Sequence, residues 1–550
     1  METQMSKLRR TLFLPAFLLA AVAVGQQMED GIPVTDAMVI AKCGACHMRD
    51  ERGLMQRISW VRATPEGWQE TFRKMVLGHG LALTAEEGRT ILKYLTANHG
   101  LAPEEAKAIS YDAERRMREE EIPDASVSSN CTRCHSVAKA LSRRRSAAEW
   151  ETFAKSHAQR FKIPAEETVS YLTATAPLHS PAWAAWSKQT NKASLAGRWL
   201  ITAFVPGHGS YYGELQADAD GDTEFNTKVT LKSVRDGSTL IRAGRSAVYG
   251  NHTWRGRSKG SMPPASLTDL ANETREALEF SSDQNSAQGR WFWGQYQEFG
   301  FDVKLRRPGS GPTLLLVEGA AIKPGSRANR LRLIGEKFPA ELTARDLNLG
   351  AGVTVRAIVS HTASEVVVDV DAAANAPLGK HDVTVAKSIA PGALAVYDRV
   401  DYIKLTPQSA LASFADQARK TGYQQFDAVG YQRGPDGRAR TADDVELGSM
   451  EVDWSIEVFY EDENPNRGVV GSVSSTGLFT PASKSLNTNV DLWVIATAKK
   501  EKDNEGEPLV AKAYLVLTVP MYTFNGRQYV RDLDRWVDGG PAPAQLGDLQ

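Results

Sequence analysis

"IAKCGACHMRD", residues 40–50, places Cys43, Cys46 and His47 in a C-x-x-C-H arrangement, and "SSNCTRCHSVA", residues 128–138, repeats it with Cys131, Cys134 and His135. These four are the only cysteines in 550 residues. Two cysteines three apart lie on one face of a helical turn, where both sulfurs can reach the two vinyl groups along one edge of a haem. The adjacent histidine then reaches the iron as proximal ligand. A structural zinc site needs four ligands, and neither motif is followed by a finger-like histidine pair. A thioredoxin-like C-x-x-C gives no reason for a histidine to follow twice, and a plain disulfide uses only two of the three residues. The reading that uses all three residue types is two covalent c-type haems.

The beginning of the chain agrees with that chemistry. Lys7, Arg9 and Arg10 precede an apolar run over 12–24, with small residues at Ala23 and Gly25, the three parts of a secretory signal peptide over 1–25. The run is too short to span a bilayer, and no later stretch approaches about 18 uninterrupted apolar residues, so the chain is expected to be exported to the periplasm and not membrane-spanning. Export suits c-type haem, which is attached outside the cytoplasm, and haem attachment leaves no free cysteine in an oxidising compartment. A formal net charge of -1 with 24% charged residues supplies no basic patch for nucleic acid.

From 26 to 190 the periodicity is helical. "TPEGWQETFRKMV" starts with Thr64 as N-cap and Pro65 at the first helical position, and spaces Trp68, Phe72, Met75 and Val76 on one face. "TAEEGRTILKYL" opens on a capping box, Thr84 with Glu87, and "SAAEWETFAKSH" on a second, Ser146 with Glu149. With "AEETVSYL" matching the helix that ends in Tyr94 and Leu95, the order C-x-x-C-H, Trp, Thr-Phe, Glu-Glu, Tyr-Leu runs twice, which predicts two small haem units in tandem.

The remainder is β-rich. "EFNTKVTLKSVRDGSTLIRAG" predicts two strands with Asp236-Gly237 at the turn, and "RWFWGQYQEFGFDVKLRR" another pair. The expected order is an antiparallel β-barrel or sandwich over 195–308, an immunoglobulin-like β-sandwich over 309–406, a C-terminal immunoglobulin-like β-sandwich over 407–525 and a tail over 526–550. "SALASFADQARKTG" is expected to be helical or irregular. "SSTGLFTP" looks like a stretch that recurs in bacterial Ig-like domains. The fold class is thus multidomain, α followed by all-β.

An electron carrier needs a second axial ligand on each iron. Aligning Phe72 with Phe153 sets Met75 opposite His157 after a one-residue shift, which gives His47 with Met75 for the first haem and His135 with His157 for the second. His79 is the rival to Met75, and His179 to His157. A methionine at helical spacing is also a common core residue. Thioether sulfur raises the potential relative to imidazole, so the two haems are expected to be unequal. "DADGD" at 218–222 reads as a solvated turn, since Val229 stands where a calcium-binding Glu belongs. "GPDGRARTADD" at 434–444 reads as a loop, and Trp291, Phe292 and Trp293 as sheet packing. Arg143, Arg144 and Arg145 are open between pairing with haem propionates and plain solvation.

Taken together, a signal peptide, "CGACH" and "CTRCH" in a helical region and three β units resemble the α subunit of quinohemoprotein amine dehydrogenase. The resemblance covers the mature chain and includes "TPEGW", "HGL", "YLTANHGLAP" and "RRSAAEWETF". It implies a periplasmic heterotrimer in which a small subunit carries cysteine tryptophylquinone and oxidises primary amines, a β-propeller subunit completes the site, and this chain passes electrons to a soluble cytochrome c or cupredoxin. Haem supplies neither the electrophilic carbonyl nor the base that amine oxidation needs, so the isolated chain is expected to lack that activity. Two other classes compete. A self-sufficient diheme peroxidase would need an iron with an open coordination site, and an envelope binding protein would act through its Ig-like domains.

Overall fold

The computed structural model describes residues 30–519 apart from 118–119, 121, 123, 133, 163–164, 190–193, 417–419, 460–469, 485 and 487; the expected signal peptide and tail lie outside the described residues. The N-terminal third is helical: α1 (Ala37–Cys43), a short strand β1 (Val61–Ala63), α2 (Pro65–His79), α3 (Ala85–Asn98), α4 (Pro103–Ala108), α5 (Ser110–Ala113), α6 (Ala125–Cys131), α7 (Val137–Leu141), β2 (Arg143–Arg145), α8 (Ala147–Phe161), α9 (Ala165–Thr175) and α10 (Pro181–Ser187). The sequence repeat is visible as α1-β1-α2-α3 followed by α6-β2-α8-α9. Local chemistry sets the helix starts. Thr64 accepts from Gly67 N at 3.1 Å, and Thr84 with Glu87 closes a reciprocal capping box. The box expected at Ser146 is only half made: its hydroxyl accepts from Glu149 N, but the Glu149 carboxylate turns to Arg57 at 3.5 Å and Arg145 at 3.9 Å.

The two halves meet at β1 and β2, which pair antiparallel with Arg62 opposite Arg144. The arginine run is therefore a strand and not a solvated loop. Arg143 donates to Gly67 O and Glu70, Arg145 lies over the rings of Trp150 and Phe153, and Arg144 is buried. Arg62 and Arg144 converge on Glu105 of α4. Arg62, with no exposed surface, makes a bidentate pair with the carboxylate at 2.7 and 2.9 Å and also donates to Gly100 O and Leu178 O, while Arg144 Nε lies 3.4 Å from Glu105. Ser180 Oγ and Ala102 N complete the shell of the carboxylate at 2.7 and 2.8 Å.

The next unit is a closed eight-stranded antiparallel barrel of β3 (Gly197–Val205), β4 (Gly209–Ala219), β5 (Glu224–Ser233), β6 (Thr239–Tyr249), β7 (Thr253–Gly260), β8 (Thr274–Phe280), β9 (Ser286–Trp293) and β10 (Phe299–Arg306). Pairing of β10 with β3, from Asp302 opposite Phe204 to Arg306 opposite Leu200, closes the cylinder and removes both sheet edges. Strict alternation along β5 sends Phe225, Val229 and Leu231 inward to a core with Trp199, Trp254, Trp291 and Phe301. Trp291 and Trp293 thus pack inside, and Phe292 is buried between the guanidinium groups of Arg275 and Arg290. Asp236-Gly237 makes the expected hairpin turn, with Gly237 at φ +73°. "DADGD" ends β4 with Asp218 and Ala219 and enters the turn to β5, where Asp220 pairs with Arg245.

Beyond the barrel stand two β-sandwiches. In the first, the sheet of Thr313–Glu318, Asn329–Glu336, Glu365–Ala372 and Val353–His361 faces the sheet of Ala321–Ile322, Ser388–Val396, Gly379–Val385 and Leu347–Asn348 across a core that includes Leu331, Val368 and Val385. In the second, a four-stranded sheet holds Val452–Val458, Val490–Lys502 and Pro508–Thr518, with Ser409–Ser413 parallel to the last. The stretch expected to be helical or irregular therefore begins as a strand, because its apolar residues complete a sheet about a hundred residues further on. Strand Tyr402–Thr406, expected in the preceding unit, pairs with Asp427–Gln432 and so belongs to this last one. In the 434–444 loop, the Asp444 carboxylate is occupied by Gly434 N, Arg440 N, Thr441 N and the Tyr402 hydroxyl.

The helical region docks on the barrel through Ala247 and Tyr249 of β6, which join the core of Trp68, Phe72 and Leu92, and through Glu66 of α2, which meets Arg255 of β7 at 2.5 Å.

Burial by itself raises the Glu105 carboxyl, but hydrogen bonds and charge from Arg62, then Arg144 and the Ala102 amide, outweigh it and bring it from 4.5 down to about 2. Its stabilising contribution is thus complete above pH 4.5 and is lost as pH falls through about 2. Glu105→Gln, which leaves two buried guanidinium groups without their counter-charge, is expected to cost about 3–5 kcal/mol in denaturant unfolding at pH 7. The gap to wild type should close as pH falls from 4.5 towards 2; a gap independent of pH would show that the pair is not the origin of the loss.

Candidate haem sites

Both C-x-x-C-H motifs are built alike. Asp36 caps α1 by accepting from Val39 N at 2.9 Å, and Asp124 caps α6 by accepting from Val127 N at 2.9 Å. Each helix is seven residues long and ends on the first cysteine of its motif, Cys43 or Cys131. Past Cys43 the turn continues, with Cys46 N and His47 N both donating to Cys43 O, at 3.2 and 2.9 Å. This keeps the second sulfur and the imidazole beside the first sulfur.

No disulfide joins any of the four cysteines, and Cys46 and Cys134 are exposed. Burial, with Cys46 adding to it, pushes the Cys43 thiol up to about 11, and burial followed by Glu120 and Asp124 raises that of Cys131. A dithiol tuned for exchange shows the opposite shift. Among the described residues no group of three or more His, Cys, Asp or Glu is gathered to hold an ion, as a zinc centre would require. His135 Nδ1 lies 2.7 Å from Ser136 O; donation from Nδ1 leaves Nε2 as the ligating nitrogen.

The helices that carry the proposed sixth ligands are equivalent in more detail than the sequence alignment suggested. α2 and α8 are both fifteen residues long, start after a hydroxyl cap and bury a tryptophan, Trp68 or Trp150. The two indole N–H groups also donate to equivalent backbone carbonyls, Trp68 to His99 O at 3.0 Å and Trp150 to Ala176 O at 2.8 Å. On this register Met75 and His157 each stand seven residues after the tryptophan, with no shift, and the buried partner of Phe72 is Ala154, not Phe153. Phenylalanine was a misleading anchor because Phe153 lies one position earlier and turns instead to the His157 face.

His157 is stacked between Phe153 and Phe161, ring centroids 4.1 and 5.1 Å away. Burial lowers its pKa, and the nearby His135, Arg160 and Arg145 lower it further, which keeps the imidazole neutral and able to ligate. Met75 is half-buried and is not among the side chains packed into the core of Trp68 and Phe72. His79 is the exposed last residue of α2, and the exposed His179 has Nε2 2.5 Å from Asp30 O, against the ring of Trp183.

Around these groups the surface is apolar where water would favour polar residues. Met48, next to His47, is 66% exposed, Leu77 of α2 51% and Phe161 of α8 52%. Phe161, four residues after His157, lies on the same face of α8 as that imidazole, an exposed apolar neighbour of the kind a bound haem would cover. No sequence signal assigns a role to His99, which is fully buried between Trp68 and Tyr94, facing the carbonyls of Val61 and Pro33; burial brings it down to about 4, so it is a neutral core residue. Nor did the sequence mark Tyr171, which lies beside Cys131, although the repeated Tyr-Leu signal pointed to both Tyr171 and Tyr94.

Four family models match in chain order: the haem-binding region of the quinohemoprotein amine dehydrogenase alpha subunit over 34–172, then domain II of that subunit over 192–308, domain III over 311–398 and domain IV over 403–528. No curated protein matches the chain. Among solved structures, a redesigned β-barrel is similar at 14% identity and TM-score 0.17, covering 21% of this chain and 92% of that one. The tandem Ig repeats of Dlar are similar at 10% identity and TM-score 0.12, covering 38% and 98%. At these scores neither contributes to the assignment.

Met75→Ala is expected to abolish a sulfur-to-iron band and lower one midpoint while the other haem stays low-spin; unchanged spectra would return Met75 to the core and move the assignment to His79. His157→Ala is expected to convert the other haem to high spin, and an unaltered spectrum would move that assignment to His179.

Proposed function

This chain belongs to the family of quinohemoprotein amine dehydrogenase α subunits, and from that premise we propose that it is the electron-relay subunit of a periplasmic complex, with one c-type haem at each C-x-x-C-H motif. The observation that carries the reading is the matched placement of the motifs. Each closes a seven-residue helix, and each half of the repeat supplies a fifteen-residue helix with a side chain able to ligate iron, Met75 or His157, at the same position.

Haem, when bound, supplies a one-electron centre. The residues of this chain hold and shield it. Cys43 with Cys46, and Cys131 with Cys134, provide the thioether sulfurs, and His47 and His135 ligate from the motif side. Met75 and His157 would each supply a second side-chain ligand, and a haem held by two protein ligands would serve electron transfer and not peroxide binding. Methionine in one site and histidine in the other make the first site the higher in potential.

Amine oxidation belongs elsewhere in the complex. It requires an electrophilic carbonyl to condense with the amine and a base to take the α-proton. All four cysteines here are committed to thioethers, so none is left to form cysteine tryptophylquinone. On this reading a small partner subunit carries the quinone, a β-propeller subunit completes a heterotrimer and a soluble cytochrome c or cupredoxin takes the electrons. Among the described residues no helix is long and apolar enough to cross a membrane.

The mass of the mature chain is expected to exceed that of the polypeptide by two haems. Cys43→Ala and Cys131→Ala should each lose one haem and leave the other, and a wild-type mass with no haem would end the reading. The purified chain is expected to be reduced by small-molecule donors but to show no amine-dependent turnover until the quinone and propeller subunits are added. Quinone staining of the denatured chain, or reduction by amine without partners, would contradict this division of labour.

A further inference from the structure

We propose that Arg255 of the barrel, acting through Glu66, is a positioning residue for the sixth ligand of the first haem; the proposal rests on the reading above. Glu66 is the second residue of α2. Its carboxylate meets Arg255 Nε at 2.5 Å and Nη2 at 3.5 Å, and Arg255 is only 2% exposed. The other side of the guanidinium is fixed within the barrel, by Glu279 Oε1 at 3.0 Å and Trp254 O at 2.9 Å. Glu279 in turn accepts from Thr253 Oγ1 at 2.8 Å, across the β7–β8 ladder. The start of α2 is thereby pinned to the wall of a closed sheet.

A helix transmits such a constraint along its length. Met75 lies nine residues beyond Glu66, about 14 Å along the axis at the usual helical rise, and the rival His79 rides on the same helix. Tilt or rotation of α2 about its start would move either ligand by more than the roughly 0.5 Å that a designed metal site tolerates. A second contact, from Lys93 and Arg89 of α3 to Glu224 of the barrel at 3.0 and 3.8 Å, holds the neighbouring helix to the same wall.

The second half of the repeat lacks the device. On the shared register the residue matching Glu66 is Ala148, which has no charge to offer, and α8 packs chiefly on α9 and β2. The barrel therefore constrains one ligand helix of two, and loss of the clamp should affect one haem of two.

The test uses Glu66→Gln and Arg255→Lys in the full-length holoprotein, followed by electron paramagnetic resonance and optical redox titration. Glu66→Gln is expected to convert part of one haem to high spin, weaken the sulfur-to-iron band and lower that haem's midpoint, with the other haem unchanged. Removing an anion without moving the ligand would do the reverse and raise the midpoint. Arg255→Lys keeps the cation and loses the fork, and is expected to shift the same haem in the same direction by less. It also carries the test if Glu66→Gln fails to fold. Folded variants with both haems fully low-spin, and a midpoint unchanged or raised, would overturn the proposal. A wild-type chain with no low-spin haem would instead overturn the reading beneath it.

Discussion

The bidentate pair between Arg62 and Glu105, with Arg144 at its side, is the constraint on which the relative placement of the two halves of the helical repeat depends. It lies where the halves of the repeat meet, and the same carboxylate also receives Ser180 and Ala102, so β1, β2, α4 and the start of α10 are all tied to one buried anion. Two guanidinium groups beside one carboxylate leave an excess of positive charge in a dry site, which is tolerable because Arg62 also meets two backbone carbonyls. Such a junction adds little stability over an apolar one. Its value lies in direction: a bidentate fork admits one relative orientation, and a relay between two haems needs a fixed separation.

The repeat is symmetric in its local chemistry and asymmetric in its surroundings. Asp caps, helix lengths, buried tryptophans and their carbonyl partners recur in both halves. The first half is seated on the barrel by a shared apolar core and by the Arg255–Glu66 pair, whereas α8 has its main contacts within its own half. Methionine in the seated half and histidine in the other would then place the more geometry-sensitive ligand on the more rigid support. The barrel interior is filled by tryptophan and phenylalanine side chains, so its contribution is that of a rigid seat.

What the sequence revealed depended on the range of the interaction. The haem motifs, the caps at Thr64 and Thr84, the Asp236-Gly237 turn and the alternation of β5 are local, and each carries its cause within a few residues. Closure of the barrel depends on β10 finding β3 across the whole unit, and the strand Ser409–Ser413 on a partner near the end of the chain; nothing local encodes either. The buried ion pairs were equally hidden, since Arg62 and Glu105 or Glu66 and Arg255 look like ordinary surface charges until the fold brings them together. The arginine run stayed open in the sequence because three like charges carry no hint of their partners, whereas the fold gives each a separate one. The ligand pair Met75 and His157 was proposed from an alignment on the wrong phenylalanine, and the shared caps and tryptophans now give both the same helical position.

A relay with two unequal one-electron centres has a simple signature in an anaerobic coulometric titration of the purified holoprotein. Two electrons per chain should be taken up in two separable one-electron steps, with both haems low-spin throughout. Uptake of one electron or none, or a haem that becomes high-spin and binds peroxide when half-reduced, would contradict it.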